Sequence, residues 1–230
     1  LDLSEIAVRQ ADLRSATLAE VNFSGADLGG SIFTSTIGAV TDLAVSPDGH
    51  LFAAAGSDGA VYLWRCGDFE PVNTLRRHTI VMSVEFSADG NLLLSSGLDG
   101  LICLWDVPSG RLLRCIETPE RPVIRAALHP DGVHVATAGT DEMIRIWNWQ
   151  RGEERAAMRA PSLLTWLAYS PDGGTLATVG DERTICLWDG YRDTLRETRR
   201  GHDGKVQTVA FHPGGEIFAT GGEDCRICLW

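Results

Sequence analysis

The chain has 230 residues, 44% of them apolar and 22% charged, which is a globular rather than a disordered composition. Its formal charge of −11 disfavours a nucleic-acid binder, which needs clustered Lys and Arg against phosphate, and suits neutral or basic partners. No apolar run approaches the roughly 18 residues of a membrane-spanning helix, and no charged start precedes an apolar core, so neither a membrane partner nor a signal peptide is expected.

Residues 1–35 carry a period of five: Leu3, Val8, Leu13, Leu18, Phe23, Leu28 and Phe33 recur without a miss. A helix repeats every 3.6 residues and a strand every two, so neither explains the spacing. An amphipathic helix with accidental spacing is the alternative. Ala11-Asp12-Leu13, Val21-Asn22-Phe23 and Ala26-Asp27-Leu28 resemble the pentapeptide-repeat family. That resemblance implies a square right-handed β-helix with the large residues inside. Seven units make less than two coils, so the stub is expected to continue upstream or to lean on the next domain. The sequon Asn22-Phe23-Ser24 falls inside this pattern and reads as coincidence.

Residues 36–230 carry a second, longer period. Trp64, Trp105, Trp147, Trp188 and Trp230 are separated by 41, 42, 41 and 42 residues. Each ends an alternating strand, as in Leu101-Ile102-Cys103-Leu104-Trp105. Each unit opens with another strand: Val40 to Val45, Val81 to Phe86, Val123 to Leu128, Leu164 to Tyr169, Val206 to Phe211. Turns such as Ser46-Pro47-Asp48-Gly49 and Ser170-Pro171-Asp172-Gly173 follow, with Pro and Gly supplying the turn dihedrals. A second strand such as Leu92 to Ser96 comes next. More polar strands, Val72 to Leu75, Arg111 to Ile116 and Asp193 to Thr198, lie between units. Four short strands at this period make an all-β chain of propeller blades.

Gly201-His202, the Ser-Pro-Asp-Gly turns, Trp105-Asp106 and Trp188-Asp189 resemble the WD-repeat family from about Thr36 onward. The resemblance implies a structural hydrogen-bonded set of His, Ser/Thr, Asp and Trp. It carries over to His78, Ser95, Asp99 and Trp105, and to His202, Thr220, Asp224 and Trp230. The third unit keeps Thr137, Asp141 and Trp147 without a matching His. The fourth has Thr178, Trp188 and Glu182 in place of Asp, and the first has Ala54 where the hydroxyl belongs. Family rings usually close with seven blades. Five units, the last without an outer strand, are therefore expected to form an open arc. The segment Ser31 to Thr36 is a candidate outer strand. The chain starts without Met and stops on Trp230, so a longer protein is expected.

Cys103, Cys186 and Cys228 each lie two residues before a repeat Trp. Repeat position explains the cysteines better than a disulfide plan does, and a reducing cytoplasm is the expected compartment. Cys225-Arg226-Ile227-Cys228 has redox or zinc spacing, but on a strand its two ends face opposite ways. The doublets Asp141-Glu142, Asp181-Glu182 and Glu223-Asp224 fall on equivalent turns and read as turn formers. Arg76-Arg77 and Arg199-Arg200 read as a solvated rim, or as a site for an acidic partner. No catalytic motif is present, and no cofactor or metal is implied.

A partner surface remains. The variable position of the opening strand reads Asp42, Ser83, Arg125, Trp166 and Thr208. Trp166 is either an anchor for a protein partner or a filler between blades, and Trp149 is either exposed or a loop cap. The junction from Val21 to Thr34 into the first unit resembles that of bacterial signal-transduction ATPases of the NB-ARC/NACHT type. This implies a sensor module, with a nucleotide-binding domain upstream in the full-length protein. The alternative is an enzyme with its site at the channel mouth, using Asp42, Glu85 and Arg125.

Overall fold

Alternating apolar residues, punctuated by turns, give 19 strands and no helix in a computed structural model that describes Asp27 and residues 38–230. The pentapeptide stub and the candidate outer strand at Ser31 to Thr36 lie outside the described residues, apart from Asp27. Four sheets are four-stranded meanders and the fifth has three strands. Blade 1 holds β1 (Val40–Val45), β2 (Leu51–Gly56), β3 (Ala60–Arg65) and β4 (Pro71–Arg76). Blade 2 holds β5 (Val81–Phe86), β6 (Leu92–Gly97), β7 (Leu101–Asp106) and β8 (Arg111–Glu117). Blade 3 holds β9 (Val123–Leu128), β10 (His134–Gly139), β11 (Met143–Asn148) and β12 (Glu153–Arg159). Blade 4 holds β13 (Leu164–Tyr169), β14 (Thr175–Gly180), β15 (Thr184–Asp189) and β16 (Leu195–Arg200). Blade 5 holds β17 (Val206–Phe211), β18 (Phe218–Gly222) and β19 (Ile227–Leu229).

The outer strand of blade 4 begins two residues later than the expected Asp193. Asp193 has φ 57° and belongs to the turn, where its amide bonds to the Asp189 carbonyl.

Successive side chains on a strand point to opposite faces, so each blade presents two apolar surfaces. Ile102 and Leu104 of β7 face blade 3, packing with Val123, Ala126 and Trp147. Cys103 and Trp105, between them, face blade 1, packing with Val61 and Leu63. The same alternation builds the layers between blades 3 and 4 and between blades 4 and 5. The core is therefore a stack of four inter-blade layers.

The inner strands pack in chain order: β1 on β5, β5 on β9, β9 on β13, β13 on β17. No comparable packing joins β17 to β1, so the five blades form an open arc of a β-propeller. The two end faces show it. Leu43 of β1 is 63% exposed, whereas its counterpart Val84 is 2% exposed. Ile227 and Leu229 of β19 are 80% and 74% exposed, whereas Ile102 and Leu104 are fully buried.

Candidate functional site

The repeated Trp strand is tied to the second strand, and to the loop that leads into the inner strand, by a hydrogen-bonded relay. In blade 2 the Trp105 indole donates to Ser95 Oγ at 2.9 Å. His78 Nε2 lies 2.8 Å from that hydroxyl, and its Nδ1 lies 3.1 Å from Asp99. With a carboxylate at Nδ1 the neutral ring keeps its proton there, and Nε2 accepts the Ser95 proton. Burial lowers the His78 pKa, against the pull of Asp99. Asp99 also receives the Thr79 and Leu101 amides, locking the turn. Blade 5 repeats this set. Trp230 donates to Thr220 at 2.9 Å, while His202 lies 2.8 Å from Thr220 and 3.0 Å from Asp224. The hydrogen bond from His202 holds the Asp224 carboxyl down at about 2.

The other blades solve the same problem with other residues. In blade 3 the buried Glu120 stands where His78 stands in blade 2. It accepts the Thr137 hydroxyl at 2.5 Å, and Thr137 accepts the Trp147 indole at 3.0 Å. Arg145, at the position of Cys103, neutralises Glu120 at 3.0 Å and Asp141 at 2.7 Å. Reading the sequence for His passed over Glu120. The signal was an Arg at a position that is Cys in three of the other four units, since a largely buried guanidinium needs a carboxylate. In blade 4 the Trp188 indole donates to Thr178 at 2.9 Å, and Ser162 lies buried in the preceding loop. In blade 1 Tyr62 replaces Cys, stacks on Trp64 and donates to Asp58 at 2.5 Å.

The five partner-surface candidates all sit at the same bulge. The inner-strand register shifts between Val40 and Asp42, Val81 and Ser83, Val123 and Arg125, Leu164 and Trp166, and Val206 and Thr208. A bulge re-aims the side chain that follows it. Much of this row turns out to join blades. Asp42 accepts the Val84 amide of blade 2 at 2.9 Å, and Ser83 accepts the Ala126 amide of blade 3 at 3.2 Å. Thr41 and Thr165, inside the bulges, donate to the Val81 and Val206 carbonyls of the following blades, both at 2.6 Å. Ser83 is 1% exposed and faces no partner.

Asp42, Arg125 and Trp166 meet one another. Arg125 pairs with Asp42 at 2.5 Å, and its guanidinium lies 3.4 Å from the Trp166 ring centroid. Trp166 also packs against the layer between blades 4 and 5, so filler and exposed-face roles coexist in one side chain. Thr208 is exposed. Arg125, Trp166 and Thr208 line a cleft of about 380 Å³ whose other walls include Glu85, Tyr169 and Phe211.

Glu85 stands where the other inner strands carry Ala44, Ala127, Ala168 and Ala210. It accepts the Leu128 amide at 2.9 Å. Burial pushes its carboxyl up to about 7, relieved in part by the Leu128 amide and Arg125 and reinforced by Asp42. His129, also in the wall, is occupied on both nitrogens: Nε2 donates to the Gly173 carbonyl at 3.1 Å and Nδ1 accepts the Asp131 amide at 3.1 Å.

The cysteines depart from the repeat-position reading. Cys103 does fill the inter-blade layer, but it is joined in a disulfide to Cys115, its direct register partner on β8. Cross-strand pairing puts the two Cα atoms 4.2 Å apart, which a scan for repeated positions does not see. Cys225 is exposed with φ 60°, and the two ends of Cys225-Arg226-Ile227-Cys228 are not joined. Among the described residues no group of three His, Cys, Asp or Glu has metal-site geometry. Trp149 caps its loop by donating to the Gly132 carbonyl at 2.8 Å. Arg76 and Arg199, from the two Arg doublets, pair with Asp58 and Glu197.

Comparison with known proteins matches this geometry. The model for the WD domain, G-beta repeat, matches residues 30–65, 69–106, 110–148, 157–189 and 193–230. The model for pentapeptide repeats matches eight copies over residues 2–34. A 63-residue stretch is 38% identical to an uncharacterised WD repeat-containing protein of the cyanobacterium Nostoc sp., covering 27% of this chain and 5% of that protein. Five meander blades and five matched repeats, taking in most of the sequence, place the chain in the WD-repeat family.

Proposed function

We propose that the chain is a non-catalytic protein-interaction scaffold, and that it forms the sensor part of a larger bacterial signalling protein. WD propellers typically hold partner proteins, and the cleft between four inner strands is where this arc offers a partner something other than a blade contact. The observation that carries the reading is the half-buried Trp166 with Arg125 stacked on it at the cleft wall. Aromatic and Arg pairs in such pockets anchor interfaces. The pentapeptide segment, and the likeness to a long cyanobacterial WD protein, support a bacterial origin and further domains, with a nucleotide-binding domain upstream. The cleft wall holds a single carboxylate, Glu85, and a single imidazole, His129, whose nitrogens are both engaged. A binding role therefore accounts for the cleft better than acid–base catalysis, which needs a second group within reach.

The test is site-specific photo-crosslinking in extract of the source organism. A crosslinking phenylalanine in place of Thr208 should capture a polypeptide that one in place of Leu113, exposed on β8, does not. Trp166→Ala should abolish the capture. Equal capture from both positions, or capture indifferent to Trp166, overturns the cleft as the partner site.

A further inference from the structure

The charges around the cleft do not cancel. Asp42 and Arg125 neutralise each other at 2.5 Å and are both largely buried. Among the described residues Glu85 has no counter-ion of its own: the hydrogen bond it accepts comes from a backbone amide, and its Arg neighbour is already committed to Asp42. It sits on an inner strand whose equivalents are all Ala, so the fold does not need a carboxylate there. Around it the wall is aromatic, with Phe86, Trp166, Tyr169 and Phe211. An uncompensated acid ringed by π faces is the complement of a cation.

We infer that this cleft takes one cationic side chain, Arg or Lys, from a partner polypeptide, with Glu85 as its counter-ion and the aromatic wall around its stem. This rests on the interaction reading above and names the chemistry of the partner. The stem of a basic residue covers apolar wall while its head meets the carboxylate. The chain's formal charge of −11 favours approach by a basic segment. The cleft of about 380 Å³ has room for one long side chain together with its flanking backbone.

Binding is then linked to protons. The charged and titratable groups around Glu85 are Asp42 on β1, Arg125 on β9, His129 after β9 and Tyr169 on β13. With the Glu85 carboxyl at about 7, it is mostly ionised at pH 8 and mostly protonated at pH 6. A cation that binds only the ionised form should therefore lose about tenfold in affinity between those two values.

The experiment uses the 230-residue chain and fluorescent Gly-Gly-X-Gly-Gly peptides in low salt, with X as Arg, Lys, Gln or Glu, and free spermidine as a separate probe. The Arg or Lys peptide should bind about tenfold or more tightly than the Gln and Glu peptides at pH 8. Glu85→Gln, checked for a cooperative thermal transition no lower than that of wild type, should erase that preference. Equal binding of the Arg and Gln peptides overturns the inference, as does a preference that survives Glu85→Gln. If that variant does not fold, the wild-type pH profile decides, and a flat profile from pH 6 to 8 overturns the inference. Spermidine binding without peptide binding replaces the polypeptide with a free amine and also overturns it. Capture at position 208 that needs Trp166 but ignores Glu85→Gln keeps the interaction reading and removes only the cation.

Discussion

Glu120 shows how a single buried residue can be read only with its partner. Seen alone, it is an acid where the family pattern expects a His. Seen with Arg145, it is half of a pair that satisfies Thr137 and Trp147 by another route. Removing Arg145 leaves Glu120 buried without its counter-ion. Arg145→Cys should cost about 3–5 kcal/mol. Glu120→His should also destabilise, because Asp141 is held by Arg145 and is not free for the new imidazole. The double substitution releases Asp141 to serve as Asp99 does in blade 2. It should therefore be more stable than the sum of the singles by about 1–3 kcal/mol. Urea unfolding of the four proteins checks this, and additive effects would show that the two positions act separately.

Glu85 makes the opposite case, a residue that weakens the fold where it stands. Its folded carboxyl is raised from 4.5 to about 7, so the folded state holds a proton that the unfolded state has released in between. The stability it contributes is present below about pH 4.5 and is lost as pH rises through 7. Glu85→Gln has no such loss. It should match wild type at pH 4 and exceed it by about 1–3 kcal/mol at pH 8, an upper range because Glu85 keeps part of its surface open to the cleft. Unfolding midpoints across pH check the sign. A residue that costs stability on a strand of alanines is better explained by binding than by folding.

At the scale of the element, the turn before each Trp strand repeats one backbone shape with different residues. Gly59, Gly100, Glu142, Arg183 and Cys225 all have positive φ, from 60° to 82°. In blade 1 that shape also brings the chain close to the next blade's loop. A Cβ on Gly59 would lie 2.0 Å from the His78 carbonyl oxygen. Gly59→Ala should therefore cost about 2–4 kcal/mol, from strain and clash together. Cys225→Gly, at the same position in the fifth unit, should change stability by less than about 1 kcal/mol, in the stabilising direction. Thermal melts of the two variants separate the effects.

These turns, and every inner strand, were legible in the sequence because alternation and turn chemistry act within one unit. The pairing of Cys115 with Cys103, and the use of Asp42 and Ser83 as hooks to the next blade, were not. Both depend on register across strands or blades, which no single unit's pattern contains. The late start of β16 was hidden for a similar reason, since Asp193 carries a turn conformation that its residue type permits but does not demand.

For the arc as a whole, the hooks from bulge side chains to backbone groups run in one direction. The bulge side chains of blades 1, 2 and 4 reach forward to backbone groups of the next blade, as Asp42 does to Val84, Ser83 to Ala126 and Thr165 to Val206. Blade 5 presents the same forward face, with Gln207 and Thr208 at the bulge and Ile227 and Leu229 exposed beside them. Blade 1 presents the matching rear face, with Val40, Leu43 and Val45 exposed. The two ends are thus related as consecutive blades are, and a second copy of the chain can seat its blade 1 on blade 5 of the first. Burying each of these side chains is worth about 1.5–3 kcal/mol. A contact between different faces of two copies leaves one face of each kind free for a further copy, so association should grow with concentration. Sedimentation of the 230-residue chain should show this. Leu43→Lys combined with Ile227→Lys should suppress it while leaving the unfolding midpoint unchanged, because both sites are open to solvent within one copy. Val84→Lys, the same substitution one blade inward, should unfold the protein. A wild-type chain that stays monomeric at about 100 µM, about 100 times a micromolar Kd, would show that its end faces do not pair as blades do.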